Sequence, residues 1–177
     1  MILETPRLLL RELDLTDLDF VAAMLAHREV MQFFPKCYTR EESRQWILRQ
    51  QERYAADGYG YWLALDKQSG DPVGQAGVMQ AEVEGLAEPS LGYIMHRPYW
   101  RRGFASEAAA ACRDWVFETL DRRRVITLIR PENLPSLGVA RKIGMQIERR
   151  TIFGGYEHFV LSALRPACET PRSSRTR

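Results

Sequence analysis

The stretch from residue 92 to residue 107 constrains this chain more than any other. It passes from strand-like Gly92-Tyr93-Ile94-Met95-His96, through the basic turn Arg97-Pro98-Tyr99-Trp100-Arg101-Arg102-Gly103, into Phe104-Ala105-Ser106-Glu107, where a helix starts. Ala108, Ala111, Cys112, Trp115, Val116 and Leu120 continue at helical spacing, and the many small residues permit close approach to a sheet. The first turn of such a helix offers free N–H groups and the positive end of its dipole, a ready site for a phosphate or pyrophosphate. Gly103 lets the anion reach the backbone, Arg101 and Arg102 add charge-assisted hydrogen bonds, and small Ala105 and Ser106 leave the approach open. Nucleotides, phosphosugars and coenzyme A all satisfy this chemistry. There is neither a Walker loop nor a Gly-x-Gly-x-x-Gly dinucleotide turn.

The rest of the chain supplies short strands and helices around this segment. Residues 7–12 read as an opening strand. Thr16 with Asp19 reads as a cap for a helix over 17–27, and Thr39 with Glu42 as the box opening a helix that carries Trp46, Ile47 and Tyr54 and stops at Asp57-Gly58. Strands are expected over 59–66, 72–80 and 90–96, with a tight turn at 67–71 and a longer polar link over 82–89. A β-branched strand at 125–129, a helix at 135–143 closed by Gly144, and strands at 145–153 and 156–164 complete the order. The expected fold is α/β, of the α+β kind: a mixed, mostly antiparallel sheet of about seven strands flanked by about four helices. Residues 1–166 are expected to form one domain, and the Ser/Thr/Pro/Arg-rich 167–177 a basic tail.

Composition excludes several classes. At 177 residues with 45% apolar content, the chain has no window apolar enough to span a membrane and no leader-like start. Cys37, Cys112 and Cys168 are odd in number and scattered, which fits a reducing, cytoplasmic setting. The formal charge is +2, and Arg172, Arg175 and Arg177 against Glu169 in the tail account for it, so the body lacks the basic face that nucleic-acid binding needs. His27 and His158 show no ligand spacing with each other or with cysteine, so no metal is expected, and His96 reads as a strand-end residue rather than a base.

Three motifs in order carry a resemblance. Thr5-Pro6-Arg7-Leu8-Leu9-Leu10-Arg11, Tyr99-Trp100-Arg101-Arg102-Gly103-Phe104-Ala105-Ser106-Glu107-Ala108, and Pro131-Glu132-Asn133-Leu134-Pro135-Ser136 continuing to Arg141-Lys142-Ile143-Gly144-Met145 resemble the Gcn5-related N-acetyltransferase (GNAT) family. More narrowly, they are similar to the branch that acetylates ribosomal-protein N-termini. Trp100 departs from the family's Arg/Gln loop position, and Met145 stands where Phe is usual. The resemblance implies a GNAT-like fold with a V-shaped opening between the fourth and fifth strands. It also implies direct acetyl transfer from acetyl-CoA, the acyl-donor substrate, to a primary amine.

Pantetheine would pair with the backbone of Ile94, Met95 and His96, and the pyrophosphate would sit on the amides of Arg101, Arg102, Gly103, Phe104, Ala105 and Ser106. Asn133 would hydrogen-bond pantetheine, Lys142 would meet a CoA phosphate, and Ser136 would donate a proton to the CoA thiolate. The family often places a Glu two residues before the strand glycine; here that position is Ser90, with Glu88 nearby, so the base is unassigned.

Bland readings stand beside these. Cys112 belongs in the core, Glu107 in a dipole-favoured first turn, and Arg122-Arg123-Arg124 at a solvated helix end. Phe33, Phe34, Tyr38, Trp62 and Tyr156 either fill the core or line an acceptor pocket, which falls in the weakly patterned 33–38 and 80–88. Four alternatives stay open: a non-catalytic acyl-CoA-binding module, an RNA- or ribosome-associated protein, a small-molecule amine as acceptor, and either a monomer or a homodimer.

Overall fold

The period-2 apolar runs assemble into one eight-stranded sheet in the computed structural model, which describes residues 1–166. The expected tail lies outside those residues. The strands are β1 (Leu3–Glu4), β2 (Leu8–Arg11), β3 (Tyr61–Asp66), β4 (Pro72–Val83), β5 (Leu86–Met95), β6 (Arg124–Ile129), β7 (Gln146–Phe153) and β8 (Tyr156–Leu164). The helices are α1 (Leu18–Ala26), α2 (Arg40–Asp57), α3 (Phe104–Glu118) and α4 (Leu134–Lys142). Strand order is β1-β2-β3-β4-β5-β6-β8-β7, antiparallel throughout except for β5 beside β6.

Alternation decides which face each helix covers. Leu10, Trp62, Ala76, Leu91 and Met95 face α3 and α4, whose apolar stripes supply Phe104, Ala108, Cys112, Val116, Leu137 and Ala140. On the opposite face Leu63 and Ile94 meet Val21, Met24 and Leu25 of α1 and Ile47 of α2. Cys112 is fully inside, and burial pushes its thiol pKa up. Trp62, a candidate pocket wall by sequence, is instead buried against Trp115 of α3, rings 5.0 Å apart.

Four details differ from the sequence reading. The sheet gains β1, whose two residues are too few to show a period. The supposed polar link over 82–89 is a continuous hairpin: Ala81 and Val83 point inward while Gln80 and Glu82 point out, and Glu84 and Gly85 close it with positive φ of 53° and 80°. The cap before α1 is Asp14 with Asp17 rather than Thr16 with Asp19, and Asp19 instead pairs with Arg40. The Thr39/Glu42 box before α2 forms in full. Arg124 is no helix end: it opens β6 and joins Glu88 to Glu148.

Candidate functional site

β5 and β6 run parallel and share one register pair, Ser90 with Ile126, beyond which they part. Thr127 Oγ1, donating to the Leu91 carbonyl at 3.0 Å, marks the last link. On the other side β5 is laddered to β4, and the His96 N–H donates to the Val73 carbonyl at 2.9 Å. In an antiparallel ladder alternate residues turn both backbone groups toward one neighbour. Ile94, Gly92 and Ser90, in phase with His96, therefore bond to β4, while Leu91, Tyr93 and Met95 turn toward the gap. Of Ile94, Met95 and His96, named from sequence, Met95 directs its N–H into the opening, and Tyr93, not named, does the same. The Met95 carbonyl accepts from Trp100 Nε1 at 2.7 Å, which folds the basic turn back beneath the strand end.

The loop that follows is built for an anion. Arg101 (φ 60°) and Gly103 (φ 83°) are both left-handed, and the amides opening α3 follow at once. A left-handed non-glycine residue such as Arg101 holds strain of about 1–3 kcal/mol, which surrounding contacts must over-determine. Those contacts come from elsewhere in the chain. Arg102 lies over the Tyr99 and Phe104 rings, 3.7 Å from Asp66 of β3. Arg7, just before β2, donates from Nε to Glu107 Oε2 at 2.6 Å and from Nη1 to the Arg102 carbonyl at 2.9 Å. Thr5 Oγ1 and the Arg7 N–H complete the grip on Glu107 Oε1 at 2.6 and 2.8 Å. Burial opposes ionisation of Glu107, but these hydrogen bonds outweigh it and hold the carboxyl below its usual range.

Across the gap, Asn133 caps α4, its Oδ1 accepting from the Ser136 N–H at 3.2 Å, so its amide NH₂ is the group left for other partners. Tyr93 reaches over from β5, and its hydroxyl donates to the Ser136 carbonyl at 2.8 Å. Burial keeps the Tyr93 phenol protonated well above its usual range. Lys142 ends α4, exposed, beside the same cleft as Gly103 and Ser106.

The α1/α2 face of the gap is aromatic. Tyr38, Trp46 and Tyr61 stand in a row, ring centroids 6.0 and 5.4 Å apart, and the Tyr61 hydroxyl fills the space a side chain at Gly92 would need. Burial pushes the Tyr61 phenol up to about 12, so it stays a donor at neutral pH. Trp46 Nε1 donates to Gln75 Oε1 at 2.9 Å, leaving buried Gln75 Nε2 without a protein partner among the described residues. Ser90 is buried, and Glu88 is held by Arg124 at 2.6 Å, so neither puts a free carboxylate at Gly92. His96 packs edge-on against Phe20 and His27, and burial, then His27, pulls its pKa down. Phe33 is half-buried and Phe34 packs in the α1/α2 cluster, while Tyr156 stacks on Arg130 at the far edge of the sheet.

Arg7, Tyr61, Gln75 and Tyr93 carry roles that the sequence reading did not give them. Strand alternation from His96 backward marks Tyr93; the other three are placed by contacts distant in sequence. Among the described residues no group of three or more His, Cys, Asp or Glu side chains is placed to hold a metal, and no helix is long and apolar enough to cross a membrane. The arrangement brings an anion-binding loop next to unpaired strand amides, a combination suited to a long ligand with a diphosphate at one end and an amide-bearing arm at the other.

Comparison with known proteins agrees. Residues 7–146 match the family model of the acetyltransferase (GNAT) domain. YkkB of Bacillus subtilis is 32% identical over 121 residues, covering 68% of this chain and 70% of that protein. YnaD of the same organism, named an uncharacterized N-acetyltransferase, is 27% identical over 84% of each. The crystal structure of an acetyltransferase from Agrobacterium tumefaciens superposes with a TM-score of 0.80 at 25% identity, covering 92% of this chain and 94% of that one.

Proposed function

The chain belongs to the GNAT family of acetyl-CoA-dependent acetyltransferases, and from that premise we propose that its acceptor is the α-amine of a protein N-terminus. The observation that carries the acceptor reading is the serine at position 90 with Glu88 held by Arg124, and the donor is placed by the parting of β5 from β6 after Ser90 and Ile126, beside the left-handed loop at Arg101–Gly103.

Acetyl-CoA enters this opening as substrate. Its pyrophosphate lies on the amides from Arg101 to Ser106, and its pantetheine runs along the β5 edge, pairing with the backbone of Tyr93 and Met95 as an added strand. The Asn133 amide is the partner offered from α4. A backbone N–H at the edge polarises the thioester carbonyl and receives the oxyanion. The neutral amine attacks the carbonyl carbon, the C–N bond forms and the C–S bond breaks; the nitrogen gives up one proton to water, and the departing thiolate takes one from Ser136, which water reprotonates, or from water directly. A thiol of pKa about 8.5 is a good leaving group, so little acid catalysis is required.

The acceptor comes from the α1/α2 face, along Tyr38, Trp46 and Tyr61 to Gly92. Its identity follows from basicity: with Glu88 held by Arg124 and serine at position 90, no strong base stands at Gly92. An α-amine of pKa about 7.7–8.0 is partly neutral without help, whereas a lysine of about 10.4 is not. Similarity of the three sequence motifs to the ribosomal-protein branch supports the same choice.

Mass spectrometry of an acceptor panel with acetyl-CoA as donor tests this. Peptides with free N-termini become acetylated, at a rate that levels off once the α-amine is neutral; N-blocked lysine peptides and small polyamines do not. Acetylation confined to lysines or small amines rejects the proposal.

A further inference from the structure

Tyr61 of β3, Gly77 of β4 and Gly92 of β5 stand opposite one another and form one row across three neighbouring strands. Residues in such a row share a face of the sheet, and two successive glycines leave it bare of side chains. The Tyr61 side chain fills the row, and its hydroxyl stands where a side chain on Gly92 would begin. β5 is the last strand before the gap, so the row delivers a phenol oxygen to the edge where the two half-sheets part.

That phenol is held in place. Tyr61 is buried, its backbone N–H donates to Gln50 Oε1 at 3.0 Å, and its carbonyl accepts from the Tyr54 hydroxyl. Trp46 lies against the ring, centroids 5.4 Å apart. The nearby Tyr54 and Tyr93 hydroxyls both donate to carbonyls, whereas the Tyr61 hydroxyl has no hydrogen-bond partner among the described residues. Burial holds its proton in place at neutral pH. A buried hydroxyl is ordinarily satisfied, so a fixed donor without a partner at the mouth of a ligand gap points to the ligand.

The reacting thioester offers one suitable acceptor. Gly92 directly precedes Tyr93, whose N–H turns into the gap, so the phenol stands beside the amide that meets the donor. The attacking amine needs its lone pair for the new bond, and the departing thiolate is served from Ser136 on the α4 side. The carbonyl oxygen remains, and it becomes negative as the amine adds.

We propose that the Tyr61 hydroxyl is a second donor to the oxyanion, beside the β5 backbone N–H, and is a catalytic residue of the transfer. The proposal rests on the reading that seats the thioester between β5 and β6. The phenol keeps its own proton throughout. As the C–N bond forms, the carbonyl electron pair moves onto oxygen between the two donors; it returns as the C–S bond breaks, and the nitrogen's proton goes to water.

A donor matched to the developing charge acts on turnover more than on binding. Tyr61→Phe keeps the ring and removes only the hydroxyl. It lowers kcat at least about tenfold, leaves KM for acetyl-CoA and calorimetric affinity for coenzyme A within about twofold, and leaves Tm unchanged or raised, because no protein hydrogen bond is lost. Infrared spectroscopy of bound acetyl-CoA, labelled with heavy carbon at the carbonyl, reads the contact without any amine: the C=O stretch lies lower in the wild type than in Tyr61→Phe. Equal stretches in the two proteins, kcat within about twofold, or a fall in kcat matched by a fall in Tm overturns the assignment. A wild-type chain that binds no acetyl-CoA rejects the donor seat itself. One that shows the carbonyl difference but acetylates no free N-terminus rejects the acceptor reading and supports the role of Tyr61.

Discussion

The Tyr93 hydroxyl donates to the Ser136 carbonyl at 2.8 Å, so a side chain of β5 bridges to the first turn of α4 across the opening that the two strands leave. Removing that hydroxyl leaves the ring in place and takes away one hydrogen bond. Tyr93→Phe costs about 1 kcal/mol, or about 2–4 °C in Tm for a chain of this size, and speeds amide exchange in the first turn of α4. An unchanged melting curve with unchanged exchange contradicts the bridge.

Gly103 needs both its left-handed backbone and an empty space beside Arg7 Nη2. Gly103→Glu adds steric strain and a negative charge at the proposed pyrophosphate site, and lowers affinity for coenzyme A by at least about a hundredfold. Gly103→Asn, which tolerates the conformation and adds no charge, loses much less. Titration calorimetry compares the two; equal losses point to distortion alone.

The Glu88 carboxylate is held at 2.6 Å by Arg124, and on the function proposed above it serves as a strut with no part in proton transfer. Glu88→Gln keeps turnover within about twofold and lowers Tm, since a partly buried pair is broken. A large fall in kcat at unchanged stability makes Glu88 the base instead.

The same arginine sets an acid limit on the fold. Hydrogen bonds from Arg124, and secondarily from Ser162, hold the Glu148 carboxyl at about 2, against an ordinary 4.5. A carboxylate with a depressed folded pKa contributes its stability in full above the unfolded value and loses it as pH falls toward the folded one. The difference in urea midpoint between wild type and Glu148→Gln is therefore constant above about pH 5, shrinks below about pH 4.5, and vanishes near pH 2. A difference that is flat across this range contradicts the pairing.

What the sequence made legible is what it encodes locally. The loop after β5 could be read because strand, glycine, arginines and helix start are contiguous, and α2 because Thr39 and Glu42 lie three residues apart. The β4–β5 hairpin was hidden by its own polarity: Glu82, Glu84 and Glu88 look like a loop until Ala81 and Val83 are seen turning inward. The grip of Arg7 on Glu107, the reach of Tyr93 to Ser136 and the Tyr61 ring over Gly92 join distant residues, and no periodicity reports such contacts. Family motifs flagged Arg7 and Glu107 separately; only the fold shows that they are one device.

The single rung between β5 and β6 has a mechanical meaning. Exposed strand edges usually lie at the margin of a sheet, where they invite unwanted partners. Here one lies in the interior, roofed by α3 and α4, and on the function proposed above it is met by the extended pantetheine arm of the donor. The occupant completes the architecture as it binds, so resistance to unfolding rises with its concentration. On that proposal the working enzyme is a protein that borrows its ninth strand.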